Sequence, residues 1–464
     1  MIRKYFEEHK SEIITCMKKL VEIPSVKSEG TEDAPFGKHC AEALRCVRKM
    51  HIDSGFETEL YNKEGYLLSY YRGGDKKRIG LFAHSDVVPG GDGWIYTEPY
   101  KFLEKDGFLF GRGVEDNISG IMVSLFAARA IKDLKLPFDS TLILFTGSNE
   151  ESGMEDIKAY IKNHSCPDLS LVPDVGFPVC RGEAGICHIW AESPRCADYL
   201  ENFSGGSAFN VILGKARAVL KYEEKIFESL LSKAPSEVEI NHENDKIIID
   251  ATGISKHVCA PEGSRNAAYY IFNLLSACEY IEEGEREIFK NAAKLLKTPF
   301  GDGMGIKDSD DDFGRLSCGN GMIRFEEGRL KLSFDIRYGC SYSAKDIEAC
   351  VFTALDKIGW KMNLDSNSEG YLYSASDPFI AAVEEAYRKC TGDIKERAFV
   401  TKGGTYARNI KNSVPVGSVC FRKHPFDLPE GHGGVHQADE CISIEGLIDA
   451  MVIITEMIIA CDKL

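Results

Sequence analysis

A short apolar run that stops at two polar side chains most constrains how this chain can fold. Residues 78–82 read RIGLF, and His84 and Asp86 follow where the run ends. Such a run predicts a strand, and in an open α/β sheet ligands bind outside the carboxyl ends of the strands. A His two residues before an Asp suits metal binding, because a carboxylate can hold the imidazole N–H that faces away from the ion. A single His beside a strand is more often a structural, hydrogen-bonded residue, so a metal site requires further ligands at the ends of other strands.

Acidic residues follow two further predicted strands. Residues 141–146 (TLILFT) are fully apolar, as in a buried parallel strand, and Glu150 and Glu151 come after them. Adjacent carboxylates are costly to hold together unless they share a cation or a proton. The alternative is a pair of solvated acids that open a helix. Asp174 follows a third short apolar run, residues 169–172.

Two more candidate ligands lie in glycine-rich segments. Asp116 ends the turn GRGVED, just before a predicted helix over residues 118–134, where a helix N-cap is an equally good interpretation. His436 stands in GHGGVHQADE, residues 431–440, ahead of the last predicted helix. With the strand-end residues, these positions supply two imidazoles and three carboxylates.

This donor set predicts a hydrolytic metal site. Mixed nitrogen and oxygen ligation suits zinc, with manganese or cobalt as alternatives. Two ions bridged by one carboxylate would polarise a carbonyl group and generate hydroxide near neutral pH. Glu150, a carboxylate beside the ligands, stands where a general base is needed.

The motifs that carry these residues resemble those of the M20 family of dinuclear zinc peptidases. In chain order they are HSD, GRGVED, NEESG, PDVGFPVCRGEAG and VHQADE. The segments GGTYAR (403–408) and DDFGRLSCGNG (311–321), together with a long insert, make the chain most similar to the PepV-type dipeptidases of that family. The resemblance extends from the first predicted helix to the last.

The resemblance implies two zinc ions per chain and a role for each ligand. Asp116 would bridge the two ions. His84 and Asp174 would complete one site, and Glu151 and His436 the other. Family members with Asp at the position of Asp174 tend to act on peptides with a free amino terminus, which favours a dipeptidase.

The resemblance also implies catalytic and substrate-binding residues. Asp86 would orient His84, and Glu150 would take the proton from the bridging water and return it to the leaving amine. His257 would stabilise the oxyanion, a role with a sound electrostatic basis. The remaining matches are expected to bind substrate, and they are Asn210, Arg337, Gly404 and Thr405. A guanidinium suits the substrate carboxylate, although a surface ion pair is the alternative for Arg337.

Three positions depart from the family pattern. Ile118 stands where relatives usually have Lys, Asn149 where they have Asp, and Lys402 where they have Gly. None of them is a predicted metal ligand or the predicted base. We expect them to affect substrate preference.

The predicted fold is α/β with two domains, as a length of 464 residues favours. A catalytic domain, residues 1–185 and 377–464, would contain a mostly parallel mixed sheet flanked by helices. Residues 186–376 would interrupt it as an α+β lid with antiparallel sheets. In this lid, LKLSFDIRY (330–338) alternates as a half-buried strand does, and residues 363–377 read as a loop. A lid of this size folds over its own active site in the PepV group, so we expect a monomer.

Composition excludes several other classes. The net charge of −16 argues against nucleic acid as a partner. Sixteen cysteines without a C-x-x-C pair are expected to be reduced thiols. The amino terminus lacks the apolar core of a signal peptide, and the apolar segment 447–460 is too short to cross a bilayer. We therefore expect a cytoplasmic protein that does not enter the membrane.

Three functions remain open at this point. The first is a dipeptidase acting on small peptides. The second is an amidohydrolase that removes an acyl group from an amino acid, which activity on N-acyl substrates would distinguish. The third is a homologue that binds metal or peptide without turnover. Loss of Glu150 or Asp116 would have indicated the third, and both are present.

Overall fold

The computed structural model describes residues 1–306, 309–310 and 312–464. The chain forms two compact units. The first comprises residues 1–182, 373–399 and 405–464, and the second comprises residues 183–372 and 400–404. The sequence analysis placed the domain boundaries at 185/186 and 376/377. It assigned residues 400–404 to the catalytic domain, whereas here they belong to the second unit. Asp311, the first residue of the DDFGRLSCGNG motif, lies outside the described residues.

Runs of helices and runs of strands follow one another along the chain. The α-helices are α1 (Ile2–Glu8), α2 (Lys10–Val21), α3 (Lys38–Asp53), α4 (Ile118–Asp133), α5 (Glu155–Asn163), α6 (Glu224–Lys233), α7 (Ala267–Ser276), α8 (Glu283–Leu296), α9 (Ala344–Asp356), α10 (Pro378–Thr391) and α11 (Ile444–Lys463). The strands are β1 (Glu57–Tyr61), β2 (Tyr66–Arg72), β3 (Arg78–His84), β4 (Leu103–Lys105), β5 (Phe108–Phe110), β6 (Thr141–Gly147), β7 (Leu169–Val175), β8 (Cys180–Glu183), β9 (Gly185–Glu192), β10 (Leu200–Ser204), β11 (Lys215–Lys221), β12 (Val238–Glu243), β13 (Lys246–Thr252), β14 (Ser309–Asp310), β15 (Gly314–Arg315), β16 (Ser317–Gly319), β17 (Ile323–Glu326), β18 (Arg329–Tyr338), β19 (Lys361–Ser368), β20 (Tyr371–Leu372), β21 (Phe399–Thr401), β22 (Ser413–Gly417) and β23 (Cys441–Ser443).

A six-stranded mixed sheet forms the centre of the first unit. Its strand order is β1-β2-β6-β3-β7-β22. Strands β6, β3, β7 and β22 are parallel to one another, whereas β2 pairs antiparallel with both β1 and β6. A small second sheet has the order β23-β5-β4. The predicted mostly parallel mixed sheet is therefore confirmed.

Helix α4 connects the sheet to the helical layer of this unit. It packs against β3 and β7 on one side and against α2 and α11 on the other. Its residues are buried almost without interruption, because the helix has packing partners on both sides. The helix begins two residues after Asp116, so its tight packing restricts the position of that residue.

Antiparallel sheets build the second unit. One has the order β10-β11-β13-β12, and another has the order β16-β18-β9-β19, with β17 pairing on β18. Helices α7 and α8 pack against each other, and α7 also packs against β11 and β13. The predicted α+β architecture with antiparallel sheets is confirmed.

Three local predictions were wrong. The apolar spacing of residues 2–20 predicts one helix, but these residues form two helices, because the backbone leaves helical geometry at His9 (φ −98°, ψ 5°). Strand β18 is not half-buried: its polar side chains are also covered, since Asp335 is 0% and Arg337 6% exposed. The loop expected over residues 363–377 contains most of β19, whose polar side chains hid the strand.

Two composition-based expectations concern the whole chain. Across the described residues, no helix has both the length and the apolar content needed to cross a membrane. None of the sixteen cysteines, all of which lie within the described residues, is joined in a disulfide.

Candidate metal centre

The carboxyl ends of three strands meet at the candidate site in the first unit. His84 is the last residue of β3, and Asp174 is the penultimate residue of β7. Glu150 and Glu151 follow β6. Because β3 pairs in parallel with both β6 and β7, these side chains leave the sheet at the same edge.

His84 and two carboxylates form the first cluster. The Nε2 atom of His84 lies 3.1 Å from Asp116 Oδ1 and 3.6 Å from Asp174 Oδ1. Its Nδ1 atom lies 3.0 Å from the backbone oxygen of Asp86 and 3.5 Å from that residue's Oδ1. A proton on Nδ1 therefore leaves Nε2 facing the carboxylates with its lone pair.

His436 and Glu151 form the second cluster around the same aspartate. The Nε2 atom of His436 lies 3.0 Å from Asp116 Oδ2 and 3.0 Å from Glu151 Oε1. Asp116 thus presents one oxygen to His84 and the other to His436. A carboxylate placed between two imidazoles in this way can bridge two ions.

The donor atoms fit divalent cations. Ligand atoms within 4.8 Å of one another belong to two groups, one of His84, Glu150 and Asp174 and one of His84, Asp116 and Glu151. Tetrahedral ligands about 2.0 Å from zinc lie about 3.3 Å apart, and the contacts described above span 3.0 to 3.6 Å. Among the described residues, His84 Nε2 and Glu150 Oε1 are buried without a partner in hydrogen-bonding geometry. Since such atoms are costly to bury unpaired, a cation would satisfy them.

Burial and mutual repulsion shape the protonation of this cluster. Burial raises the pKa of Glu151 to about 7, and the neighbouring Asp116 carboxylate adds to the shift. Burial would lower the pKa of His436, but its contacts with Asp116 and Glu151 raise it to about 11. Burial also raises the pKa of Glu150. The metal-free cluster therefore holds protons that a bound cation would displace.

Two buried aspartates support the turn that carries the paired glutamates. The carboxylate of Asp86 accepts the backbone N–H groups of Glu150 and Glu151, each at 3.1 Å. One turn further, Asp156 Oδ2 accepts the N–H of Ser148 at 2.7 Å and the hydroxyl of Tyr406 at 2.5 Å. The sequence interpretation did not include Asp156 or Tyr406, because their pairing joins segments 250 residues apart.

Asn117 joins the ends of β3 and β7 through side-chain hydrogen bonds. Its Nδ2 donates to the backbone oxygen of Pro173 at 2.7 Å and to Asp174 Oδ1 at 2.5 Å. Its Oδ1 accepts the backbone N–H of His84 at 3.3 Å. The sequence interpretation missed Asn117, although its place directly after Asp116 was a usable signal.

A buried ion pair joins the GRGVED and VHQADE motifs. Arg112 Nη1 donates to Glu440 Oε2 at 2.7 Å. Glu440 Oε1 accepts the backbone N–H groups of Glu115 and Asp116 at 3.0 and 3.2 Å. The opposite charges of Arg112 and Glu440 were a usable signal for this pair, which the sequence interpretation did not identify.

The predicted oxyanion residue His257 lies in the second unit beside Asn210. A β-bridge joins Val211 to His257, and the N–H of Val258 donates to the backbone oxygen of Asn210 at 2.9 Å. His257 is exposed, and its Nδ1 accepts the N–H of Cys259 at 3.1 Å. These two predicted residues are therefore neighbours within their own unit.

Arg337 forms a buried ion pair rather than the surface pair considered as an alternative. Its Nε and Nη2 donate to the two carboxylate oxygens of Asp335 at 2.6 and 2.7 Å. Its Nη1 donates to the backbone oxygen of Lys402 at 3.0 Å. The Arg337 guanidinium keeps the pKa of Asp335 low despite the opposing effect of burial.

The GGTYAR segment is divided between the units. Gly404 belongs to the second unit and Thr405 to the first. Thr405 is buried, and its Oγ1 accepts the N–H of Ala407 at 3.1 Å at the start of a short 3-10 helix. This contact gives Thr405 a structural role besides its predicted one.

The three departures from the family pattern occupy defined places. Ile118 is buried at the first position of α4. Asn149 Oδ1 accepts the N–H of Glu155 at 3.1 Å and so supports the start of α5. Lys402 Nζ donates to the backbone oxygen of Arg315 at 2.5 Å, and burial lowers the pKa of this lysine.

Comparison with protein families decides the assignment that the motifs suggested. Residues 80–460 match the model of peptidase family M20/M25/M40. The chain belongs to this family. It is a peptide hydrolase, and the family implies a divalent metal cofactor, which the donor set described above can accommodate. The predicted family and enzyme class are confirmed.

Curated relatives match over almost their whole length. A protein of Staphylococcus epidermidis named "Putative dipeptidase" is 26% identical over 469 residues, covering 98% of this chain and 97% of the relative. "Putative dipeptidase YtjP" of Bacillus subtilis is 26% identical over 465 residues, covering 97% of each protein.

Solved structures share the fold. Human carnosine dipeptidase 1 has a TM-score of 0.61 at 16% identity, covering 100% of this chain and 98% of that one. The dipeptidase Dug1p from Saccharomyces cerevisiae has a TM-score of 0.60 at 16% identity, with the same coverage. The M20 family metallo-carboxypeptidase Sso-CP2 from Sulfolobus solfataricus has a TM-score of 0.60 at 14% identity, covering 98% of this chain and 100% of that one.

Proposed function

We propose that this protein is a dipeptidase that uses two zinc ions, with manganese or cobalt as substitutes. The observation that carries the proposal is the cluster of two imidazoles and three carboxylates around Asp116, with the buried Glu150 Oε1 beside it. The full-length relatives named putative dipeptidases support a dipeptide as the substrate.

In the proposed reaction, Glu150 moves the proton. Divalent ions held by the cluster would polarise the scissile carbonyl group and lower the pKa of the attacking water. Glu150 accepts a proton from that water and returns it to the leaving amine. Two features support this role: its Oε1 has no hydrogen-bonding partner among the described residues, and Asp86 holds its backbone N–H.

We assign stabilisation of the oxyanion to His257. Its Nδ1 accepts the N–H of Cys259, so in the neutral imidazole the proton is on Nε2. In the proposed reaction, Nε2 would donate to the developing negative charge. The exposure of His257 leaves it accessible to a substrate.

We assign binding of the substrate to Asn210, Arg337, Gly404 and Thr405, with its carboxylate bound by Arg337 and Asn210. A guanidinium has five N–H groups. Three of those on Arg337 contact Asp335 and Lys402. We propose that the other two donate to the carboxylate of a dipeptide.

The proposal includes a lid and a monomer. Residues 186–376 would act as a lid over the active site of their own chain, so that long peptides are poor substrates. This arrangement rests on the resemblance to the PepV-type group, and the same resemblance suggests a cytoplasmic monomer. Light scattering coupled to size-exclusion chromatography tests the oligomeric state, and a mass near 103 kDa, twice the 51.5 kDa of one chain, would exclude the monomer.

The decisive experiment measures amine release from free dipeptides and from matched N-acetyl amino acids. Metal-free protein is compared with protein restored with zinc or manganese. Glu150→Gln removes the base while keeping its shape, and Glu155→Gln, an exposed glutamate on α5, is the matched control. We expect metal-restored cleavage of dipeptides only, reduced roughly 10²- to 10⁴-fold by Glu150→Gln and unchanged by Glu155→Gln.

Other outcomes would redirect the proposal. Cleavage confined to N-acetyl substrates would identify a deacylase. Cleavage that persists in the Glu150→Gln variant would remove Glu150 from the mechanism. Metal binding without turnover of either substrate set would indicate a non-catalytic homologue.

A further inference from the structure

The two histidines of the metal centre are held in place by different means. His84 is part of β3, which pairs with strands on both sides, and its side chain is 1% exposed. His436 lies in a loop with a left-handed backbone (φ 62°), and its side chain is 37% exposed. A loop has no ladder of backbone hydrogen bonds to fix it, so other groups must position His436.

Arg112 supplies that support. Its Nη2 donates to the backbone oxygen of His436 at 3.3 Å, and its Nη1 donates to the backbone oxygen of Gln437 at 3.0 Å. Nη2 also donates to the backbone oxygen of Gly90 at 3.1 Å. The guanidinium therefore joins the loop of His436 to the loop that follows β3.

Glu440 and Trp94 fix the guanidinium itself. The carboxylate of Glu440 pairs with Arg112 Nη1 at 2.7 Å, and the ring of Trp94 lies 5.4 Å from the guanidinium carbon. Both charged side chains are almost fully buried, at 3% and 0% exposed. A planar donor group with fixed partners holds its acceptors in one geometry, so movement of the His436 loop is restricted.

We propose that Arg112 is a positioning residue for the metal site formed by His436, Glu151 and Asp116. By holding the backbone at His436 and Gln437, it keeps the His436 imidazole facing the two carboxylates. The site formed by His84 and Asp174 depends less on Arg112, because β3 and β7 hold these two ligands and the site shares only Asp116 with the first. This inference rests on the dinuclear metal site of the proposed function.

The test compares the parent protein with variants, all prepared free of metal. For each protein, the affinity for each of two Zn²⁺ ions is measured by competition with a chromophoric chelator. Arg112→Lys keeps the charge beside Glu440 but cannot donate to four acceptors. The double variant Arg112→Met with Glu440→Gln removes both charges and avoids a buried unpaired carboxylate. Arg129→Met, which removes an arginine paired with Glu12 elsewhere in the same unit, is the matched control.

Two further variants show which Zn²⁺-binding event belongs to which site. His436→Ala and His84→Ala each delete one ligand and so define the binding event that belongs to each site. In both Arg112 variants we expect the event lost in His436→Ala to weaken by roughly 10- to 100-fold, as is typical for groups that orient a metal ligand. We expect the event lost in His84→Ala to stay within about threefold of the parent protein, and Arg129→Met to change neither.

Three results would overturn this inference. Equal weakening of both events would mean that Arg112 acts only on overall structure. Unchanged binding in both variants would show that the loop is positioned without it. If only the Zn²⁺-binding event lost in His84→Ala weakened, Arg112 would support the site of His84 rather than that of His436. These results are distinct from failure of the proposed function, which would appear as a parent protein that binds no Zn²⁺ or binds two ions without hydrolysing dipeptides.

Discussion

Replacing His51 with Gln should make the stability of this protein less sensitive to mildly acidic pH. His51 lies on α3 and is buried, with 1% of its surface exposed. Its Nδ1 lies 2.7 Å from Ser69 Oγ, and its Nε2 has no hydrogen-bonding partner among the described residues. Burial in these surroundings lowers its pKa to about 3.

The size of the effect follows from the difference between the folded and unfolded states. The unfolded chain protonates a histidine near pH 6.5, whereas the folded protein keeps His51 neutral down to about pH 3. Unfolding therefore takes up a proton below pH 6.5, and stability falls as the pH falls. Between pH 7.5 and 5.5 this one group should lower the free energy of unfolding by about 1.3 kcal/mol.

The assay is urea unfolding followed by circular dichroism at both pH values. The quantity of interest is the change between pH 7.5 and 5.5, compared between the parent protein and His51→Gln, because contributions of the other histidines cancel in that difference. His242→Gln, in an exposed part of β12, controls for the loss of one imidazole. If His51→Gln loses as much stability on acidification as the parent protein, the buried neutral histidine is not responsible and the reasoning is refuted.

Two further predictions concern buried polar pairs. Asp335→Asn leaves Arg337 buried without its carboxylate partner, so the free energy of unfolding should fall by about 3–5 kcal/mol. A loss below 1 kcal/mol, measured by urea unfolding, would show that the guanidinium finds another partner. Tyr406→Phe removes the hydroxyl that donates to Asp156 and should cost about 1–3 kcal/mol in the same assay. The exposed Tyr280→Phe is its control, and equal effects of the two would contradict the structural role of this hydrogen bond.

Much of the candidate site could be predicted from short segments of the chain. His84, Glu151 and Asp174 could be found because each follows an apolar strand and strand ends collect ligands in an open sheet. Asp116 and His436 were less certain from the residues alone, since a helix N-cap explains the first equally well. The family motifs resolved that ambiguity, because they joined all five positions in one order.

Local patterning was a weaker guide to the second unit. Alternation in β18 predicted one exposed face, but Asp335 and Arg337 neutralise each other and are buried together. Alternation records side-chain polarity, and it cannot show whether a polar side chain will meet an opposite charge. Strand β19 was read as a loop for a related reason: its side chains are mostly polar and exposed, and pairing with β9 determines its conformation.

The chemistry of the donor set is therefore encoded in residue types and their order, whereas its support depends on the tertiary structure. His84, Asp116 and Glu151 are recognisable because metal binding requires particular side chains next to particular local elements. Arg112 acts on His436 across 324 residues of chain, and its partners are mostly backbone oxygens, which every residue possesses. No local sequence pattern distinguishes those acceptors, and only folding brings them within reach of one guanidinium.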